Sequence, residues 1–156
     1  MLEVYLTENE DVYKKLEYYL SRHIPYPFEI LKTENEKPYI EGDPLFFSLS
    51  HKDDKAVIAI SDKPVGADLE VFKDNLHPSL LSRFSLREQG EICGEWDFLR
   101  NWTAKEAFIK MKGETLAKFL KRLEYFGGNI YLDGVKQNCK IEFKEYPFGV
   151  ACIVLE

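Results

Sequence analysis

Two carboxylates, Asp68 and Glu70, sit two residues apart in the stretch "PVGADLEVF", just after the apolar run "AVIAIS". Side chains alternate faces along a strand, so Val65, Ala67, Leu69 and Val71 point one way and Gly66, Asp68 and Glu70 the other. Acids facing water on a half-exposed strand would satisfy that pattern. So would a hard divalent cation such as Mg²⁺, which neutralises two adjacent like charges. A third acid comes from "EWDFLRNWTAKEAFIKMK", whose pattern predicts a long helix closed by Gly113. At about 100° per residue, Phe98, Trp102 and Ile109 form an apolar stripe with Leu99 beside it, and Glu106 projects within that stripe. A carboxylate placed there needs a partner. Lys110, one turn on, offers an ion pair, and a metal ion offers the alternative. Lys105 and Lys110 flank the stripe, where they would reach a ligand held in front of it.

The remaining polar signal is "SLSH", Ser48 to His51, at a strand end. No nucleophile-elbow pattern surrounds any serine, which argues against a serine hydrolase. Hydroxyls with His51 and Lys37 suit phosphate oxygens, and "SHKDD" is equally good turn chemistry.

The elements that position these residues read as α+β. "MLEVYL" alternates as a first strand, and Thr7 with Glu10 fits a capping box that would start a helix near Glu8. That helix ends before "PYP". "FEILK" reads as a short strand, "LFFSLS" and "KAVIAIS" as a strand pair, and "VGADLEVF" as the next strand. Pro78 suits a first helical position, and "SLRE" from Ser85 is a second capping box. "RLEYFGGNIYL" is open between a helix and a hairpin turning at Gly127–Gly128, "YLDGVK" adds another turn, and "KIEFKEY" with "GVACIVLE" closes the chain as a strand pair.

The chain has 156 residues, 45% of them apolar, enough to bury a sizeable core in one compact domain. The net charge of −6 argues against broad nucleic-acid binding, and no apolar run approaches a membrane span. The first residues lack the pattern of a secretory signal, and three widely spaced cysteines without a CxxC suggest reduced thiols, so the expected location is cytoplasmic. Charge is uneven: Lys105 to Arg122 holds six basic and two acidic residues, which predicts either a solvated helix face or a basic patch for a phosphate or an acidic partner.

Taken together and in order, "KPY", "FSLSH", "PVGADLE" and "WTAKEAFIKMKG" resemble the 4′-phosphopantetheinyl transferases, in particular the surfactin-synthetase-activating type. The resemblance implies that Asp68, Glu70 and Glu106 bind Mg²⁺, with Glu106 also a general base. It implies that Lys110 lies near the reacting phosphate. Ser50, His51, Lys37, Pro38 and Lys105 match positions that contact coenzyme A or belong to its motifs. The implied reaction moves 4′-phosphopantetheine from coenzyme A to a serine of an acyl or peptidyl carrier protein and releases adenosine 3′,5′-bisphosphate. The implied fold has two antiparallel strand groups with packed helices. It is one domain over residues 1–156, with a trimmed first half (1–64) and a metal-binding second half (65–156). With both strand groups in one chain, a monomer is expected. The basic 105–122 segment would be a landing surface for an acidic carrier protein. Glu36 stands where the family has the glycine of "GKP", and "HKDD" replaces its small residues after the histidine. A non-catalytic module binding coenzyme A or a carrier protein, and a Mg²⁺-dependent phosphohydrolase, are the alternatives.

Overall fold

Strand β5 (Lys55–Ser61) shows why the apolar run is continuous: both of its faces are buried. Ala56, Ile58 and Ile60 face helix α1 (Val12–Leu20), packing with Val12, Leu16 and Leu20. Val57 and Ala59 face the other way, against Val65, Ala67, Leu69, Ala151 and Ile153. The computed structural model describes residues 1–73 and 78–156 and has the expected α+β architecture. One antiparallel sheet has the order β1 (Leu2–Glu8), β5, β4 (Phe46–Lys52). A second has the order β10 (Lys140–Tyr146), β11 (Gly149–Leu155), β6 (Val65–Val71). Two smaller sheets pair β2 (Leu31–Lys32) with β3 (Pro38–Tyr39), and β7 (Leu123–Phe126) with β8 (Asn129–Leu132) and β9 (Val135–Lys136). The two large sheets meet where the Ala67 amide donates to Ser48 Oγ at 2.9 Å, tying β6 to β4 by a side chain.

Short helices α2 (Pro78–Leu81) and α3 (Leu86–Glu91) follow β6. Ser85 and Glu88 form the reciprocal capping box that their spacing predicts. The long helix α4 (Glu95–Lys112) has acids in its first turn, lysines in its last and Gly113 in the left-handed conformation at its end. Helix α5 (Leu116–Phe119) and a 3₁₀ turn lead into β7. The open choice for "RLEYFGGNIYL" resolves to the hairpin: Gly127 and Gly128 both adopt positive φ between β7 and β8.

The capping box expected at Thr7 does not form. Strand β1 instead runs through Glu8, paired along its whole length from Leu2–Ser61 to Glu8–Lys55. The helix starts at Val12, behind Asp11 at φ 52° with no side-chain cap. A complete ladder outweighs one local cap worth about 1 kcal/mol.

Helix α4 lies on the face of β6 that carries Gly66, Asp68 and Glu70, and its approach depends on Gly66. A Cβ there would stand 1.8 Å from the Ala107 carbonyl oxygen and 2.5 Å from the Met111 nitrogen. Glycine lets the helix backbone touch the strand, and this brings Glu106 and Lys110 over the acids. The C-terminal end of α4 is fastened to the first half of the chain: Lys37 Nζ donates to the Met111 carbonyl at 2.6 Å and Asn35 Nδ2 to the Gly113 carbonyl at 2.8 Å.

Candidate active site

Asp68 does not face water. It is 5% exposed, beneath α4. Its Oδ1 accepts from Ser50 Oγ at 2.9 Å and from Lys110 Nζ at 2.7 Å. Its Oδ2 is buried with no hydrogen-bond partner. A buried carboxylate oxygen without a protein partner is costly, and it has the capacity to accept a further ligand. Glu70, on the same face of β6, is part-buried and pairs with Lys52 Nζ at 3.0 Å.

Glu106 completes the cluster from the helix. Burial, then the charge of Asp68, pushes its pKa up from 4.5 to about 7; Lys110 opposes the rise, Glu70 adds to it, and Lys52 opposes it again. The ion pair that Lys110 makes is with Asp68 across the interface rather than along its own helix with Glu106. The donor set of Asp68, Glu70 and Glu106 is all hard oxygen and fits Mg²⁺. Among the described residues no three acids, histidines or cysteines are already drawn into a coordination shell. The ammonium groups of Lys110 and Lys52 engage Asp68 and Glu70 instead.

A pH dependence follows from Glu106. With its pKa raised in the folded chain, the folded state binds more protons than the unfolded one between about 4.5 and 7. The stabilisation is complete below that window and is lost as pH rises through it. Urea unfolding of the metal-free protein should therefore show stability declining from pH 4.5 to 7, and Glu106→Gln should flatten that slope. An equal slope in the variant would place the titration elsewhere.

Two cavities reach the cluster. One, of about 210 Å³, is walled by Lys37, Pro38, Ser48, Lys110 and Gly113. Burial lowers the Lys37 ammonium to about 8. Glu36, in the turn before it, stands at φ 62°, in the left-handed region that favours glycine. The other cavity, of about 250 Å³, is walled by Lys52, Glu70, Lys73, Arg83, Phe98 and Trp102, among others. The stripe expected on α4 divides: Phe98 and Trp102 stack on each other at 6.5 Å and line the cavity with Leu99, while Ile109 joins Ala104, Ala107, Phe108 and Met111 in the core. A larger cavity, of about 760 Å³, opens between Ser82 and Gly134. Its wall contains none of Asp68, Glu70, Glu106 and Lys110, so size does not mark the chemistry.

Three of the expected site residues have protein partners. Lys105 is 1% exposed, and its Nζ donates to Glu88 Oε1 at 2.9 Å over the Phe84 ring. It therefore faces α3 rather than a ligand. Ser50 spends its hydroxyl proton on Asp68. His51 is exposed, with Nδ1 3.3 Å from Asn9 Nδ2. The basic 105–122 segment is not a bare positive face either. Lys105, Lys110, Lys112, Lys118 and Arg122 pair with Glu88, Asp68, Glu156, Glu114 and Asp133 in turn. The acids come from elements distant in sequence, apart from Glu114, so a local charge count could not see the cancellation. Lys52, in the "HKDD" stretch at the end of β4, pairs with Glu70 two strands on, a contact between elements that the local turn chemistry does not reveal.

The chain is similar in sequence to proteins named 4′-phosphopantetheinyl transferase, the class to which the motifs around Asp68, Glu70 and Glu106 point. It is 36% identical over 104 residues to 4′-phosphopantetheinyl transferase AcpT of Salmonella typhi, covering 60% of this chain and 54% of that protein. It is 37% identical over 128 residues to 4′-phosphopantetheinyl transferase psf-1 of Bacillus pumilus, covering 69% and 54%. With 4′-phosphopantetheinyl transferase gsp of Aneurinibacillus migulanus the identity is 31% over 90 residues, covering 53% and 37%. The chain thus spans about half the length of the first two curated relatives. No protein-family model matches it. No helix among the described residues is long and apolar enough to cross a membrane.

Proposed function

We propose that this chain is a Mg²⁺-dependent 4′-phosphopantetheinyl transferase with that family's fold, transferring the arm of coenzyme A to a serine of an acyl or peptidyl carrier protein. The observation that carries the reading is the bare, buried Oδ2 of Asp68 beside Glu106, Glu70 and Lys110. The similarity to proteins of that name supports it.

In the reaction the serine oxygen forms a bond to the β-phosphorus of coenzyme A, and the bond to the bridging pyrophosphate oxygen breaks. Adenosine 3′,5′-bisphosphate leaves with that oxygen. Asp68, Glu70 and Glu106 would hold the Mg²⁺, which when bound neutralises the pyrophosphate and stabilises charge on the leaving group. Glu106, beside the acids and Lys110, is placed to take the serine proton, directly or through water. Lys110 offsets charge on the phosphoryl group in transfer. Lys37 and Pro38, sharing a cavity wall with Lys110, are suited to the phosphates of coenzyme A. His51, at the end of β4, can add a further contact from its exposed ring. Lys105 serves by holding α4 in place.

The test is the intact mass of an apo carrier protein after incubation with the chain, coenzyme A and Mg²⁺. A gain of about 340 Da only with metal present establishes the transfer. No gain across fatty-acid, polyketide and peptide carriers, with coenzyme A binding retained, would make the chain a binding module instead.

A further inference from the structure

Lys52 is the cluster residue to which neither the strand pattern nor the resemblance assigns a role. It ends β4 at a tight turn, paired across the hairpin with Lys55. Its backbone is set by that pairing, while its four-carbon stem is free to turn. Lys55 points to Glu8 and Asp54. Lys52 points to Glu70, with Nζ 3.0 Å from Oε2 and 3.3 Å from Oε1. It also shares the wall of the 250 Å³ cavity with Glu70, Lys73 and Arg83.

We propose that Lys52 is a resident counter-ion of the cation site, holding Glu70 until a divalent ion displaces it. The proposal rests on reading Asp68, Glu70 and Glu106 as that site. Both oxygens of Glu70 lie within reach of the ammonium, so an incoming cation must compete with it for the same ligand. Asp68 differs, because Lys110 takes Oδ1 and leaves Oδ2 bare. The site is therefore half open: Asp68 has an oxygen ready, and Glu70 is released only by exchange. A displaced Lys52 has somewhere to go, since the adjoining cavity admits water and its stem is long. The consequence is a site that binds metal more weakly than its three acids would without the lysine.

Mn²⁺ serves as the probe, because it takes the same oxygen ligands and its free ion is read by electron paramagnetic resonance. Wild type, Lys52→Ala, Lys52→Arg and Asp68→Asn are titrated without coenzyme A. Lys52→Ala should bind Mn²⁺ about fivefold more tightly than wild type, the scale of a part-exposed ion pair. Lys52→Arg should stay near wild type, and Asp68→Asn should lose most of its binding. Should Lys52→Ala bind no more tightly than a wild type that does bind Mn²⁺, with Asp68→Asn still impaired, the counter-ion role is overturned and the cation site stands. Absence of saturable binding in both wild type and Lys52→Ala overturns the cation site and the proposal with it.

Discussion

Asp68→Asn should lower phosphopantetheine transfer by about 10³-fold or more while leaving the fold intact. The substitution keeps the shape and keeps an oxygen that accepts from Ser50. What it removes is the negative charge whose second oxygen has no protein partner. Stability should change by no more than about 1 kcal/mol, because two effects offset. Lys110 loses an ionic partner, but its side chain is 33% exposed and can turn to water. Glu106 loses a repelling neighbour, so its raised pKa should move back toward the ordinary value. Carrier-protein mass gain over time gives the rate, and urea unfolding gives the stability. Activity within tenfold of wild type would remove Asp68 from the reaction. Unfolding with matching loss of activity would make it a structural acid.

The second large effect falls on the residue beside Glu106 and has the opposite character. Lys105→Met should cost about 3–5 kcal/mol of stability, because it leaves Glu88 buried without its cation. Lys105 and Glu88 are each 1% exposed and 2.9 Å apart. Glu88 Oε1 also accepts from the Tyr125 amide, and Oε2 accepts from the Ser85 amide, so this carboxylate joins α3, α4 and β7. Burial is the larger influence on Lys105 and lowers its pKa, with Glu88 opposing. The pair therefore stands near the edge of what burial tolerates, and breaking it is expensive. Adding Glu88→Gln should recover part of the loss, since the uncompensated charge is then gone. The folded fraction of Lys105→Met should transfer at close to the normal rate per molecule. A stable Lys105→Met with lost transfer would return this lysine to the substrate.

The contrast between Lys105 and Lys110 marks where the sequence stops being informative. Both lie in one motif, five residues apart, and both flank the same stripe on a helical projection. Only the neighbours of α4 separate them: β6 offers Asp68 to one and α3 offers Glu88 to the other. The same holds for the basic segment, whose excess charge is met by acids from other elements. The capping box at Thr7 was a sound local signal that lost to a ladder formed with a strand some fifty residues away.

By itself the sequence determined the chemistry available: three acids and a lysine at spacings that place them on one face of a strand and one face of a helix. It also determined features governed by short-range geometry, namely the Ser85 capping box and the helix stop at Gly113. Tertiary structure alone decided that the acid-bearing face of β6 is covered, because only the approach of α4 over Gly66 buries Asp68. It decided that Ser50 supports Asp68 and that Lys52 holds Glu70. Spacing along a chain settles which side chains share a face. Which faces meet, and so which charges must pair, depends on packing between elements far apart in sequence.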